Sequence, residues 1–313
     1  MKRPNDAWQP LARPQSRSVP AKTIGIISPG DMGAAIGGVL TENGLDVIAC
    51  LEGRSKLTLT RAAESHIRGV ANLNDLVTEA DLVLSVLVPS AATDIAQSVV
   101  KAMGETGSTP AFAECNAIAP QTVVSISKLI MDSGATFTDA GIIGSPPKSG
   151  RTSTRLYCSG SDTSLFEELA DHGLDVRRVG PGIGQASGLK MVYAASTKGT
   201  TAVWTELFVA AHAMGLSDAL MAEFAIGNST MADAMAKNMT TMPRRARRWV
   251  GEMEEIALTF EGLGLTPNIF QGASDMYRLV GETTLADQTS RKPDPEFDAM
   301  LDALTRHLKR DGA

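Results

Sequence analysis

The stretch Thr23-Ile24-Gly25-Ile26-Ile27-Ser28-Pro29-Gly30-Asp31-Met32-Gly33-Ala34-Ala35-Ile36-Gly37 decides the reading of the whole chain. Ile24 to Ile27 form a short apolar, β-branched run, the pattern of a strand buried on both faces. Small residues break the run, and Met32 to Asn43 keeps helical spacing until Gly44 stops it. Strand, glycine turn and helix together make a phosphate cradle. The unpaired amides and positive end of the helix face the anion, and glycine lets the backbone come close to it. The dinucleotide fingerprint is G-x-G-x-x-G/A. Gly30 and Gly33 supply its second and third glycines, and Ser28 stands at the first. Without a ligand, the same segment reads as a turn that packs a helix onto a sheet.

Outward from this turn the chain alternates. Asp46 to Leu51 reads as a second strand, Lys56 to Ser65 as a helix, and Asp81 to Leu87 as a strand closed by Val88-Pro89. Ala91 to Met103 is the next helix, Pro110 to Glu114 a strand, and Pro120 to Ser133 a helix opened by its proline. Strands at Thr136 to Asp139, Leu156 to Ser159 and Val176 to Val179 lead to the Gly180-Pro181-Gly182 turn. Such alternation predicts an α/β fold, a doubly wound Rossmann-type parallel sheet with helices on both faces. From Gln185 to Gly281 almost everything is compatible with helix, so an all-helical C-terminal domain follows. The expected organisation is a flexible N-terminal arm over 1–20, a dinucleotide-binding domain over 21–182, and a helical substrate and dimerisation domain over 183–313.

Composition narrows the partners. The 313 residues are 43% hydrophobic and 20% charged, with a formal charge of −6. That balance gives no basic footprint for nucleic acid or an anionic membrane surface, and no apolar run is long enough to span a bilayer. The first twenty residues carry four basic side chains and four prolines without an apolar core, which is not the pattern of a secretory signal. Cys50, Cys115 and Cys158 are odd in number and far apart, so they read as reduced core thiols of a cytoplasmic protein. His66, His172, His212 and His307 form no ligand pattern, and no metal is expected.

The end of the second strand bears on the cofactor. An acidic residue there suits the ribose of NAD, and an arginine suits the 2′-phosphate of NADP. The chain reads Leu51-Glu52-Gly53-Arg54-Ser55. Arg54 and Ser55 can clasp a phosphate, while Glu52 favours ribose hydroxyls. NADP is the preferred reading and NAD the alternative.

The glycine turn with Met32-Gly33, the strand ending in Leu87-Val88-Pro89 and the Lys190 segment resemble the β-hydroxyacid dehydrogenases, a superfamily that includes 6-phosphogluconate dehydrogenase and the imine reductases. The likeness runs over about residues 23 to 260. It implies a nicotinamide-binding domain holding its cofactor with Ser28, Pro29, Gly30, Asp31, Met32, Gly33, Arg54, Ser55, Leu87, Val88, Pro89 and Asn116. It further implies a long helix linking to the helical domain, and homodimers in which those domains interlock. The family segment D-x-S-T-x-x-P becomes Glu114-Cys115-Asn116-Ala117-Ile118-Ala119-Pro120, where Asn116 either offers its amide to ribose or substrate or caps the following helix. The family segment D-x-P-V-S-G-G becomes Asp139-Ala140-Gly141-Ile142-Ile143-Gly144-Ser145. Its carboxylate-anchoring serine is replaced by Ile143, with Gly141, Gly144 and Ser145 left as substrate contacts. That change points to a larger or more neutral substrate than a small hydroxy acid.

The family motif G-x-G-x-x-x-K is kept in spacing by Gly184, Ala186 and Lys190. The resemblance makes Lys190 the catalytic acid/base, a role a lysine fills when burial lowers its pKa towards neutrality. The asparagine the family places four residues later is Ala194 here, and Tyr193, Thr197 or Lys198 could take its place. Lys198 otherwise reads as a charge facing solvent or a phosphate. The basic turn Arg244, Arg245, Arg247 and Arg248 reads as a charged helix face or dimer contact, or as an anion clamp. Met231, Met235, Met239 and Met242 read as core or interface packing, and Glu252 stands where many relatives carry lysine. The leading function is an NAD(P)-dependent oxidoreductase moving a hydride between nicotinamide and a hydroxy compound. Imine reduction on the same scaffold and a catalytically inactive cofactor-binding protein are the alternatives.

Overall fold

The computed structural model describes residues 21–147, 154–227, 229–287 and 293–311. The arm expected over 1–20 lies outside the described residues. The chain divides into two compact units, the first ending at Met191 and the second beginning at Val192.

The first unit is an eight-stranded sheet covered on both faces. Its strands are β1 (Thr23–Ile26), β2 (Asp46–Cys50), β3 (Arg68–Val70), β4 (Leu82–Ser85), β5 (Ala111–Glu114), β6 (Phe137–Ile143), β7 (Arg155–Ser159) and β8 (Asp175–Gly180), in the spatial order β3-β2-β1-β4-β5-β6-β7-β8. Helices α1 (Asp31–Glu42), α2 (Lys56–Glu64), α3 (Leu73–Glu79), α4 (Ala92–Thr106), α5 (Pro120–Asp132) and the short α6 (Ser164–Glu167) connect them. Alternate strand residues feed two cores. Ile24, Ile26, Leu82 and Leu84 pack with Ile36 and Leu40 of α1 on one face. Ile27, Val83 and Phe112 pack with Leu76, Val99, Val123 and Ile126 of α3, α4 and α5 on the other. Burial on both sides is why these strands read as continuous apolar runs.

The sheet is parallel apart from β6 and β7, which pair antiparallel. Only about ten residues of chain separate these two strands, and a parallel crossover takes a dozen or more. Strand β3 and helix α3 do not stand out in the sequence. Arg68-Gly69-Val70 is too short for alternation to show, and α3 has only seven residues.

In the second unit, α7 (Gln185–Ala194), which begins in the first unit, runs without a break through a π-helical turn (Ala195–Gly199) into α8 (Thr200–Ala213). Then follow α9 (Ser217–Gly227), α10 (Ser229–Thr241), α11 (Ala246–Glu261), α12 (Asn268–Glu282) and α13 (Phe297–Asp311). Aromatic edges close this core: Phe208 meets Phe297 with centroids 5.2 Å apart, and Trp249 meets Tyr277 at 5.2 Å. Met235, Met239 and Met242 are buried, as a packing stripe requires. Among the described residues no helix is long and apolar enough to cross a membrane.

Candidate active site

Open α/β sheets bind ligands beyond the carboxyl ends of their strands, where the strand order reverses. Here the order reverses between β1 and β4, beside the glycine turn. A Cβ on Gly33 would lie 2.3 Å from the carbonyl oxygen of Ser28, so only glycine lets α1 seat against the turn. A Cβ on Gly30 would meet nothing within 4 Å, so the backbone there borders open space. No side chain caps α1 at Gly30, which leaves the helix end to an outside anion. Ser28 is tolerated at the first fingerprint position because its φ is not positive; His66 is the one non-glycine among the described residues with a positive φ.

The remaining cofactor candidates divide. Asp31, the acid in the first turn of α1, is ion-paired with Arg61 of α2, which offsets the repulsion it would exert on a phosphate. The guanidinium of Arg54 reaches back across the strand ends and donates to the carbonyl of Ile27 at 3.1 Å. Ser55 caps α2, its Oγ accepting from the amide of Thr58 at 3.2 Å. Pro29 is buried, Met32 packs against the α1-side core, and Val88 and half-buried Leu87 and Pro89 form the rim after β4. Turn, uncapped helix and Arg54 fit a dinucleotide with its phosphates on α1.

Asn116 is held between the ends of β4 and β5. It is buried, its Oδ1 accepts from the amide of Leu87 at 2.5 Å, and its Nδ2 donates to Ser85 Oγ at 3.0 Å. These two bonds join the ends of β4 and β5. Asn116 does not cap α5, whose N-cap is Ala119.

Asn116 belongs to a feature that single-residue reading misses. Strand register aligns Ser85 with Glu114, Glu114 with Asp139, and Asp139 with Ser159, so four fully buried polar residues cross β4, β5, β6 and β7 in one row. Glu114 Oε1 accepts from the amide of Asn116 at 2.9 Å, and Oε2 has no partner among the described residues. Burial pushes its pKa up to about 8, so the carboxyl is protonated at neutral pH. Burial also raises Asp139, against the pull of several hydrogen bonds that favour its charge. Its Oδ2 accepts from Ser159 Oγ at 2.9 Å and from the amides of Gly184, Ala186 and Ser187 at 2.9, 3.0 and 3.2 Å. Its Oδ1 accepts from Ser187 Oγ. Asp139 therefore caps α7 from a strand, tying the start of that helix to the sheet. The available sequence signal was a polar residue ending each of the runs LVLS, AFAE and LYCS, with Asp139 following Phe137-Thr138.

Lys190 stands on this anchored helix. A Cβ on Gly141 would lie 2.7 Å from the carbonyl oxygen of Ala186 and 3.0 Å from Lys190 Cβ, so glycine in β6 lets α7 lie directly on the strand. From there Lys190 Nζ donates to the carbonyl of Ile142 in β6. The lysine is half-buried, and Cys115 lies near enough to feel its charge, although burial still holds that thiol well above its ordinary pKa. Ile143 is buried, Gly144 takes a φ of +124°, and exposed Ser145 follows, its carbonyl accepting from Thr154. The structure thus brings Lys190, Gly141, Ile143 and Gly144 to the carboxyl end of β6.

Tyr193, Ala194 and Thr197 belong to the second unit: Ala194 is buried, and exposed Thr197 donates to the carbonyls of Tyr193 and Ala194 at 3.3 Å. Lys198 does not face solvent but pairs with buried Glu252. The arginine turn is largely neutralised within its unit, Arg244 by Asp294, Arg247 by Asp287 and Arg248 by Glu252. His212 is held by Asp302 at 2.9 Å and Ser217 at 3.1 Å.

Comparison with known proteins adds the following. Residues 23–171 match the NAD binding domain of 6-phosphogluconate dehydrogenase, and residues 211–280 match a domain of unknown function (DUF1932). An uncharacterised 28.5 kDa protein of Methanothermus fervidus is 28% identical over 198 residues, covering 63% of this chain and 74% of that protein. A conserved protein of unknown function, described as structurally similar to 3-hydroxyacid dehydrogenases, superposes with a TM-score of 0.62 at 27% identity, covering 83% of this chain and 99% of the other. Mycobacterium tuberculosis 3-hydroxyisobutyrate dehydrogenase with L-serine shares the fold at TM-score 0.64 and 17% identity, over 90% and 99% of the two chains. A Streptomyces aurantiacus imine reductase shares it at TM-score 0.52 and 16% identity, over 90% and 98%.

Proposed function

The chain is a β-hydroxyacid dehydrogenase-like family member, and from that premise we propose that it is an NAD(P)-dependent oxidoreductase in which Lys190 is the acid/base. The observation that carries the reading is the seating of Lys190: a capped helix holds it against β6, with its amine on the carbonyl of Ile142. When bound, the nicotinamide supplies or accepts the hydride. The chain's own residues do the rest. The uncapped end of α1 and the Gly30–Gly33 turn bind the pyrophosphate, and Arg54 takes a 2′-phosphate, which favours NADP over NAD. Lys190 gives a proton to the oxygen of a carbonyl as it becomes an alcohol, or removes it in the reverse direction. Gly141, Gly144 and Ser145 border the reacting carbon, and buried Ile143 presents a methyl surface where a carboxylate-anchoring hydroxyl would stand. The substrate is therefore a hydroxy compound, or the carbonyl compound it interconverts with, larger or less polar at that end than a small hydroxy acid. The homodimer through the helical domain and the domain limits at residues 182 and 183 belong to the same proposal.

Imine reduction is the second reading, favoured by Ile143 and Ala194 replacing the polar residues of hydroxyacid chemistry. Titration with NADPH and NADH, followed by a panel of secondary alcohols and cyclic imines, tests the two. Alcohol oxidation with NADP+ is expected. Cyclic-imine reduction without alcohol activity would replace the first reading with the second, and cofactor binding with neither activity would refute both.

A further inference from the structure

Where the strand order reverses, both flanking strand ends are tied back by side chains. On the β1 side Arg54 donates to the carbonyl of Ile27 at 3.1 Å, and on the β4 side the amide of Leu87 donates to Asn116 Oδ1 at 2.5 Å. The second tie sets where Leu87, Val88 and Pro89 stand. Leu87 is only two residues past Ser85, the last residue of β4, and Pro89 opens the 3₁₀ turn that leads into α4. Asn116 is itself fixed from two sides: its Nδ2 donates to Ser85 Oγ at 3.0 Å, and its backbone amide donates to Glu114 Oε1 at 2.9 Å. Hydrogen bonds therefore run from Glu114 through Asn116 to the rim after β4.

Glu114, at the root of this run, sits in surroundings that disfavour its charge. The side chain is fully buried, and its Oε2 meets no hydrogen-bond partner among the described residues. Phe112 shares its face of β5 and packs with Val99, Val123 and Ile126 of α4 and α5, so the helices over that face bring apolar groups. From the neighbouring strands, Ser85 and Asp139 stand directly opposite in register. Lys190 of α7 lies further along, over Gly141, and the buried thiol of Cys115 follows in the chain. Desolvation pushes the Glu114 pKa up to about 8 against hydrogen bonds from Asn116 and Ser85, and the charge of Asp139 adds to the push. The carboxyl is therefore neutral near pH 7, and a neutral acid tolerates a buried oxygen without a partner far better than a carboxylate does.

We propose that Glu114 is a positioning residue for the dinucleotide: its carboxyl holds Asn116, and through Asn116 the Leu87–Pro89 rim, in the place where the cofactor meets it. The inference rests on the cofactor reading above and is independent of the substrate. Loss of the Glu114 proton puts a second buried carboxylate beside Asp139, with one oxygen unanswered. That charge is relieved by shifting the end of β5 or admitting water, and either displaces Asn116 and Leu87 with it. The dinucleotide therefore binds the protonated form better, and by linkage its binding draws a proton onto Glu114. NADPH and NADH share the effect, because the rim follows β4 whereas Arg54 follows β2.

Nicotinamide fluorescence, titrated with NADPH and with NADH between about pH 7 and about pH 9.5, tests this on the full chain of wild type, Glu114→Gln and Glu114→Ala. Wild type should hold both cofactors steadily up to about pH 8 and then lose affinity, by at most about tenfold per pH unit. Glu114→Gln keeps the shape and stays neutral, so it should match wild type within about twofold near pH 7 and stay flat above it. Glu114→Ala should weaken both cofactors about fivefold or more throughout. Calorimetry in two buffers of different ionisation enthalpy should show a proton taken up as wild type binds near pH 8, and none in Glu114→Gln. A carboxyl that served packing alone would show no such uptake. Far-UV circular dichroism across the range checks folding, and if Glu114→Ala does not fold, the contrast between wild type and Glu114→Gln decides. Wild-type affinity that is constant with pH, or that falls equally in Glu114→Gln, would overturn the proposal. So would a loss confined to NADPH, which would place the effect on the 2′-phosphate. Wild type that binds neither nucleotide at any pH would remove the cofactor reading itself, and this inference with it.

Discussion

Replacing Asp139 by alanine removes the carboxylate that fastens α7 to the sheet. The amide of Ala186 keeps a second acceptor, Ser159 Oγ at 3.0 Å, so Gly184 and Ser187 carry the two backbone donors left buried and alone. Orphaned donors cost about 1–3 kcal/mol each, or roughly 2–6 kcal/mol together. Part of this is offset, because burial already disfavours the Asp139 charge, which the substitution abolishes. A net loss of about 3 kcal/mol is expected. Asparagine has the same shape. Its oxygen can keep the three amides while its nitrogen donates to Ser187 Oγ, so Asp139→Asn should cost only about 1 kcal/mol. Urea denaturation followed by circular dichroism measures both, and turnover measured alongside reports on Lys190, which rides on the same helix. Asp139→Ala should lose rate as well as stability, and Asp139→Asn should retain most of both. The reasoning is refuted if alanine lies within about 0.5 kcal/mol of wild type, or if asparagine is as damaging as alanine.

Three further expectations follow from the same geometry. Gly141→Ala puts a methyl 2.7 Å from the carbonyl of Ala186, so it should cost about 1–3 kcal/mol by overpacking and about 100-fold in kcat by displacing Lys190, both measurable on purified enzyme. Arg54→Gln should weaken NADPH about tenfold or more and leave NADH nearly unchanged, as titration of nicotinamide fluorescence would show. Glu114 keeps its proton in the folded state up to about pH 8, whereas the unfolded chain releases it near 4.5. Its contribution to stability is therefore complete below about pH 4.5 and lost as the pH rises towards 8. At roughly 1.4 kcal/mol per pH unit the loss is a few kcal/mol, and Glu114→Gln should flatten the dependence in denaturation series across that range.

The parallel sheet and the nucleotide turn are legible in the sequence because they obey strong local rules. Ile24 to Ile27 are apolar on both faces, and Gly33 stands where a Cβ would strike the Ser28 carbonyl. Lys190 stands out only through the family resemblance, whose motif spacing Gly184, Ala186 and Lys190 keep. The partners of Asn116, Glu114 and Asp139 are not legible, because strand register sets them: Ser85 and Ser159 lie 31 and 20 residues away from the residues they bond. Lys198 misleads in the same way. Nothing near it in the chain announces Glu252, 54 residues on, and only the helical packing turns an expected surface charge into a buried pair. Local pattern finds the cradle, and tertiary register decides which polar groups remain to bind.

The most direct test of the account is single-turnover hydride transfer in Lys190→Met, compared with wild type on the best substrate of the alcohol and imine panel. The account predicts a transfer rate lower by a factor of about 100–10,000, with NADPH affinity unchanged within about twofold. A rate within about fivefold of wild type, with the cofactor bound normally, would show that another group handles the proton and would contradict it.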